Sequence, residues 1–168
     1  MSFPPGLRRL QLEGNDLGPD VSQGLILPPS LQYLSIGCNR LGPEGVKHLR
    51  LPSSLRILNI GTNNIGPVGA RMLELPNGLQ ELHIGSNNLG PEGIKHLSLP
   101  SGLQELQLHK NNMGNQGARN LNLPKWLRKL HMSDNAVGPL GIRGLRLPEH
   151  LQYLNLGRNN IGPSGTQY

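Results

Sequence analysis

The feature that most limits this chain is a repeat of fixed length. Leu7, Leu31, Leu55, Leu79, Leu103, Leu127 and Leu151 stand 24 residues apart. Asn15, Asn39, Asn63, Asn87, Asn111, Asn135 and Asn159 keep the same spacing, as do Pro28, Pro52, Pro76, Pro100, Pro124 and Pro148. A constant period over the whole chain means a stack of like units, each of which completes its core only against its neighbours. The sequence therefore reads as one domain, residues 1–168, of seven copies starting at 7, 31, 55, 79, 103, 127 and 151, the last truncated.

Counting each copy from its leading Leu, apolar residues recur at positions 1, 4, 6, 11, 19 and 21. In the second copy these are Leu31, Leu34, Ile36, Leu41, Leu49 and Leu51. Positions 4 and 6 alternate with polar residues, the period of a strand with one buried face. Gly42-Pro43 then suits a helix start, because proline's missing N–H has no partner to lose in the first turn. Val46 and Leu49 give that helix one apolar side. Leu51-Pro52 is expected to end it, since the residue before proline avoids the helical region. A helix this short needs packing to persist. The repeated Asn falls where the strand turns away and is expected to form a buried ladder bonded to backbone.

Strands stack about 4.8 Å apart, whereas helices are about 10 Å wide. The stack must therefore curve, with strands inside. The pattern LxxLxLxxNxL resembles the leucine-rich repeat family. The Gly66 to Gly69 stretch followed by Ala70 is similar to its short ribonuclease-inhibitor-like subclass. The Leu-Pro-x-x-Leu lead-in, as at Leu51 to Leu55, resembles some bacterial and protist repeats. The resemblance implies an α/β fold: a leucine-rich-repeat solenoid (horseshoe), with a parallel concave sheet and short helices on the convex side. It implies protein binding on the concave face and leaves the partner open, since one fold hosts many functions.

The positions expected to face outward on the concave side are 3, 5, 7 and 8. Position 3 carries Arg9, Tyr33, Ile57, Glu81, Glu105, Lys129 and Tyr153, changing in size, charge and aromaticity from copy to copy. Position 5 adds Asn59, His83, Gln107, His131 and Asn155 to Gln11 and Ser35; His109 comes from position 7, and Lys110, Asp134 and Arg158 from position 8. These sixteen residues, leaving aside Gln11 and Ser35, are the candidate partner-binding set. The four columns hold four basic and four acidic residues, so the net charge of +6 lies elsewhere. Five of the bases, Lys47, Arg71, Lys95, Arg119 and Arg143, share position 17 and form a row along the helices. Such a row could track a polyanion, or could be a solvated face copied by duplication. Nucleic acid is not an expected partner, because aromatic content is 3% and no stacking platform or nucleic-acid motif appears.

No feature points to an enzyme. There is no phosphate loop, nucleophile elbow or HExxH, and Gly-Pro-Glu-Gly at 42–45 lacks an N–H that a phosphate cradle would use. No cofactor is implied. His83 and His131 lie two strands apart, about 9.6 Å at the backbone, too wide for direct ligation of one metal. Cys38 is the single cysteine, with nothing nearby in sequence to activate it.

A lone thiol, no Asn-x-Ser/Thr sequon, no signal-peptide pattern and no long apolar run point to an intracellular location and no membrane span. Neither end reads as a polar cap, and the chain stops at Thr166-Gln167-Tyr168, inside the last expected helix. A solenoid without caps is expected to be a fragment of a longer array, a truncated gene product or an array that associates end to end. That makes a structural or assembly array the alternative to a binding module. The fifth copy departs from the rest: Asn115 replaces Pro, and Trp126 stands where neighbours carry Ser, Gly or His. Trp126 is expected beside His150, and Lys125 beside Glu149. Trp126 reads either as a shield for the loop edge or as an aromatic anchor for a partner.

Overall fold

A computed structural model describes the backbone of residues 3–165 and the side chains of all these except 21–23. Val21-Ser22, which stand where other copies carry Gly and an apolar residue, have their side chains outside the described set, and the final Thr166-Gln167-Tyr168 lies outside it too. Each copy contributes one three-residue strand: β1 (Arg9–Gln11), β2 (Tyr33–Ser35), β3 (Ile57–Asn59), β4 (Glu81–His83), β5 (Glu105–Gln107), β6 (Lys129–His131) and β7 (Tyr153–Asn155). They form one parallel sheet in chain order. The register never slips: Leu10 pairs with Leu34, Leu34 with Leu58, and so on to Leu154. The helices α1 (Pro19–Gly24), α2 (Gly42–His48), α3 (Gly66–Met72), α4 (Gly90–His96), α5 (Gly114–Asn120), α6 (Pro139–Gly144) and α7 (Gly162–Gly165) stack on the other side. The result is the open horseshoe expected from the two spacings.

Between the layers lies one continuous aliphatic core. Leu34, Leu58, Leu82, Leu106 and Leu130 are fully buried, as are Ile36, Ile60 and Ile84 beside them. In the last copy the matching Leu154 and Leu156 are only partly buried, with a neighbour on one side. The Pro-x-x-Leu lead-in is a turn in which the Leu N–H donates to the Pro carbonyl three residues back, as from Leu55 to Pro52 at 3.0 Å.

The asparagine ladder is present at every described step. Asn87 Oδ1 accepts from the N–H groups of Asn63 (2.8 Å) and Ile65 (3.4 Å) in the preceding copy. Its Nδ2 donates to the carbonyls of Ile60, Ile84 and Gly85. One side chain thus closes the turns of two copies, and Asn63, Asn87, Asn111 and Asn135 have no exposed surface.

Three local features differ from the sequence expectation. Helices end earlier than expected: in the second copy α2 stops at His48, and Leu49 is already extended (φ −72°, ψ 109°). Leu49 N–H closes a tight turn onto the Val46 carbonyl, so the chain leaves the helix before the Leu51-Pro52 pair acts on it. Position 8 holds a left-handed backbone although it is Gly only once: Cys38, Thr62, Ser86, Lys110, Asp134 and Arg158 all have φ between 52° and 56°. That conformation disfavours a side chain, and a β-branched one such as Thr62 most.

Asn115 is the third. Its Oδ1 accepts from Gly138 N–H (2.7 Å) and Gly141 N–H (3.0 Å), capping α6 of the following copy. An Asn in place of Pro therefore serves the neighbouring helix, whose start at Gly138 is extended rather than left-handed (φ −97°).

Candidate functional site

The strand register sets the position 3 and position 5 side chains in two rows across the concave face. At one end Arg9 lies over the Tyr33 ring, its guanidinium carbon 4.1 Å from the centroid, with Ile57 half-buried next in the row. Asn59 caps its own strand exit, its Oδ1 accepting from Gly61 N–H at 3.1 Å, and Asn155 does the same for Gly157 at 2.9 Å. Not all of the expected face is open. Ser35 is fully buried, because its hydroxyl donates to Glu13 Oε1 from the preceding copy. Gly37 and Gly85 are buried too, the second beneath the His109 ring, which fills the space a Cβ at Gly85 would need.

The other end is a connected polar cluster. Glu105 accepts from Gln107 Nε2 at 2.9 Å and from Lys129 Nζ at 3.1 Å, leaving its side chain 16% exposed. Burial alone would raise its carboxyl. The bonds from Gln107 and Lys129 and the charge of Lys129 outweigh that and hold it below the ordinary carboxylate range, with a further small pull from His83 only once that ring is protonated. His83 sits on the adjacent strand with Nε2 3.7 Å from Glu105 Oε1, too long for a hydrogen bond. That nitrogen is buried and unpartnered among the described residues. Desolvation lowers the His83 pKa; Glu105 and Glu81 pull it upward without overcoming burial, and His131 adds to the lowering. His83 is therefore neutral at pH 7, and its approach to Glu105 is not an ion pair there. His109 is also lowered, first by burial, then by Lys110 and His131. His131 packs against Tyr153 at 4.7 Å between centroids, and Asp134 meets Arg158 at 3.9 Å. Glu81 is half-buried, while Lys110, Arg158 and Tyr153 are exposed.

These shifts give the protein an acid sensitivity of definite sign. A histidine whose folded pKa is depressed is protonated first in the unfolded chain, so stability falls as pH drops below the ordinary value of 6.5. Glu105 acts in a second window: its contribution is present above the ordinary 4.5 and is lost as pH falls through its folded value. Urea midpoints at successive pH values should decline in both windows. The double variant His83→Gln, His109→Gln should flatten the upper decline and leave the lower one. A midpoint that rises on acidification from neutral pH would contradict these assignments.

At the rim where strands begin, Trp126 is 54% exposed and stacks on His150, centroids 4.6 Å apart and planes 10° from parallel. Lys125 Nζ lies 5.3 Å from the centre of the Trp126 ring, and the expected Lys125–Glu149 pair is not among the described ion pairs. The basic row on the helices is partly tied down. Lys47 bonds Glu44, Arg119 Nε donates to the Leu140 carbonyl, and Arg143 donates to the Ser164 carbonyl. Among the described residues no three His, Cys, Asp or Glu side chains group as a metal site would require, and no helix is long and apolar enough to cross a membrane.

A leucine-rich repeat family model matches residues 28–49, 52–73, 78–98, 124–145 and 148–167. These segments cover more than half of the chain, and the chain belongs to the leucine-rich repeat family. Among solved structures it is similar to YopM from Yersinia enterocolitica WA-314, with TM-score 0.54 and 21% identity over 96% of this chain and 40% of that one. It is also similar to the plant peptide hormone receptor RGFR1, solved in complex with RGF2, with TM-score 0.50 and 20% identity over 91% of this chain and 28% of that one. This chain thus spans less than half the length of either, and both likenesses concern the fold. A search of the curated proteins finds no match. Leucine-rich repeat proteins generally act as protein–protein interaction modules, and the family is typically non-enzymatic.

Proposed function

We propose that the seven copies act as one non-catalytic module that binds a protein partner on the concave sheet face. The observation that carries this reading is the contrast between columns. Positions 4, 6 and 9 repeat a nearly constant core and ladder, while position 3 changes from Arg9 and Tyr33 through Ile57 to Glu81, Glu105, Lys129 and Tyr153 on the same rigid register. Rigid elements with fixed side-chain neighbours cost less entropy on binding than a mobile surface. The partner would meet two unlike halves. One is a cation–aromatic pair, Arg9 over Tyr33. The other is the cluster of Glu105, Lys129, His83, His131 and Tyr153.

Tyr153 and Arg9 are the outermost large side chains of the set, and aromatic and arginine residues dominate binding energy at interfaces. A partner captured from native extract on the immobilised chain should bind about 30-fold more weakly to Tyr153→Ala, a loss of about 2 kcal/mol. Arg71→Gln, on the helical side, should leave that affinity unchanged. Equal loss in both variants, or in neither, would count against the concave face. The compartment proposed is intracellular, which suits an exposed, unpaired Cys38 thiol.

A further inference from the structure

The repeat makes one strip of the convex side a control for another. In the second and third copies the return segments behind the helices carry Arg50 and Glu74, which face each other at 3.7 Å. Three copies further on, Asn122 stands in place of Arg50 and Arg146 in place of Glu74. An acid has become a base at the same point of the fold. The strip around it opens into a cavity of about 770 Å³ lined by Lys95, Arg119, Arg146, Asn120 and Asn122 over Leu121 and Leu123. No acidic residue lines it, and none of the three cations has a carboxylate partner among the described residues.

Arg119 is held in place. Its Nε donates to the Leu140 carbonyl at 3.1 Å, and its stem lies across Gly144, where a Cβ would meet Arg119 Cγ at 2.5 Å. The two terminal nitrogens of its guanidinium make no hydrogen bond among the described residues, and they form the fork that binds paired anionic oxygens.

We infer that this cavity binds a phosphate monoester carried on a segment of a protein partner. Three uncompensated cations match a dianion with several acceptor oxygens. The depression is open on one side and wide enough for a phosphate together with the residues that flank it. Leu123, partly exposed at the floor, offers apolar surface to the residues flanking the phosphate. A nucleic-acid track fits less well, because a track needs a free row. Lys47 is paired with Glu44, whereas Lys95, Arg119 and Arg146 line one depression without a carboxylate among the described residues.

The test uses the full chain, labelled with nitrogen-15, at about 0.15 M salt. Its probe is the peptide Gly-Leu-phosphoserine-Leu-Gly, and the same peptide with plain serine is the control. The expected result is a saturable shift of the Asn120, Asn122 and Gly144 amides by the phosphopeptide alone. Inorganic phosphate should move the same amides at higher concentration. Arg146→Glu, which restores the acid found in the third copy, should weaken binding at least about tenfold with an unchanged circular dichroism spectrum. Arg71→Gln, outside the cavity, should leave binding as it was. No shift with the phosphopeptide, or a shift that Arg146→Glu leaves intact, would overturn the inference. So would a single-stranded oligothymidylate that binds more tightly than the phosphopeptide and is weakened alike by Arg71→Gln and Arg146→Glu, for that is the behaviour of a track.

Discussion

Replacing Asn87 with alanine is expected to lower the free energy of unfolding by about 3 kcal/mol. The side chain is fully buried and bonds five backbone groups drawn from two copies. Alanine leaves the Asn63 and Ile65 N–H groups without their acceptor in a place water does not reach, while the Ile60 carbonyl keeps Asn63 Nδ2; each buried unsatisfied group costs about 1–3 kcal/mol. Local relaxation keeps the sum below the simple total. The loss should be graded along the stack. Asn15, at the first turn, is exposed, and among the described residues its side-chain amide donates to the Glu13 carbonyl alone, so Asn15→Ala should cost far less. Asn88 is the sharper control. It is exposed, yet its backbone is left-handed (φ 54°), so Asn88→Ala should cost about 1 kcal/mol for conformation alone. Ala136, which holds the same conformation in the sixth copy, shows that the fold tolerates this. Equal urea midpoints for Asn87→Ala and Asn88→Ala would show that the ladder does not act as described.

Gly93→Val is expected to cost about 3 kcal/mol by overpacking. Gly93 is buried in α4, where a Cβ would lie 3.0 Å from Pro67 Cα of the preceding helix and 3.0 Å from Leu89 Cβ. Neither atom is the end of a flexible side chain, so relief requires the helices to separate. The same approach recurs at Gly69 against Pro43 and at Gly117 against Pro91. Gly102 is the comparison: only the Asn77 carbonyl oxygen, at 3.9 Å, comes near a Cβ there, so Gly102→Val should be tolerated far better. Thermal midpoints of the two variants check this, and a Gly93→Val protein as stable as Gly102→Val would refute the close helix approach.

The period and its apolar positions made the layers, the strand order and the asparagine ladder legible in the sequence, because each follows from spacing alone. What was not legible depends on side chains reaching from one copy to the next. Ser35 was expected at the open face and is buried, since Glu13 reaches over it. His109 covers Gly85, a placement set by two copies together. Asn115 stood out only as a departure from Pro, and it caps the next helix; nothing in the sequence marked this, since Gly138-Pro139 repeats the dipeptide of Gly42-Pro43. The left-handed column at position 8 left little trace, because Cys, Thr, Lys and Arg are not residues that announce such a conformation. The second Gly of the Gly-x-x-Gly stretch was readable as a family mark, but its physical role is the close contact of helices. At the candidate site the columns were legible, while the link from Glu105 to Gln107 and Lys129, and the depressed His83 beside it, needed coordinates.

The claim that most needs testing is that the partner sits on the concave face. Hydroxyl-radical footprinting of the complex against the free chain reads this directly, because oxidisable side chains lie on both sides. Tyr33, His83, His131 and Tyr153 are on the sheet face, whereas His48, Met72 and His96 are at the helical side, and Trp126 is at the rim. The account predicts that binding protects the first four and leaves His48, Met72 and His96 at their free rates. Protection of the helical set with the sheet tyrosines still fully reactive would place the partner on the convex side and contradict it.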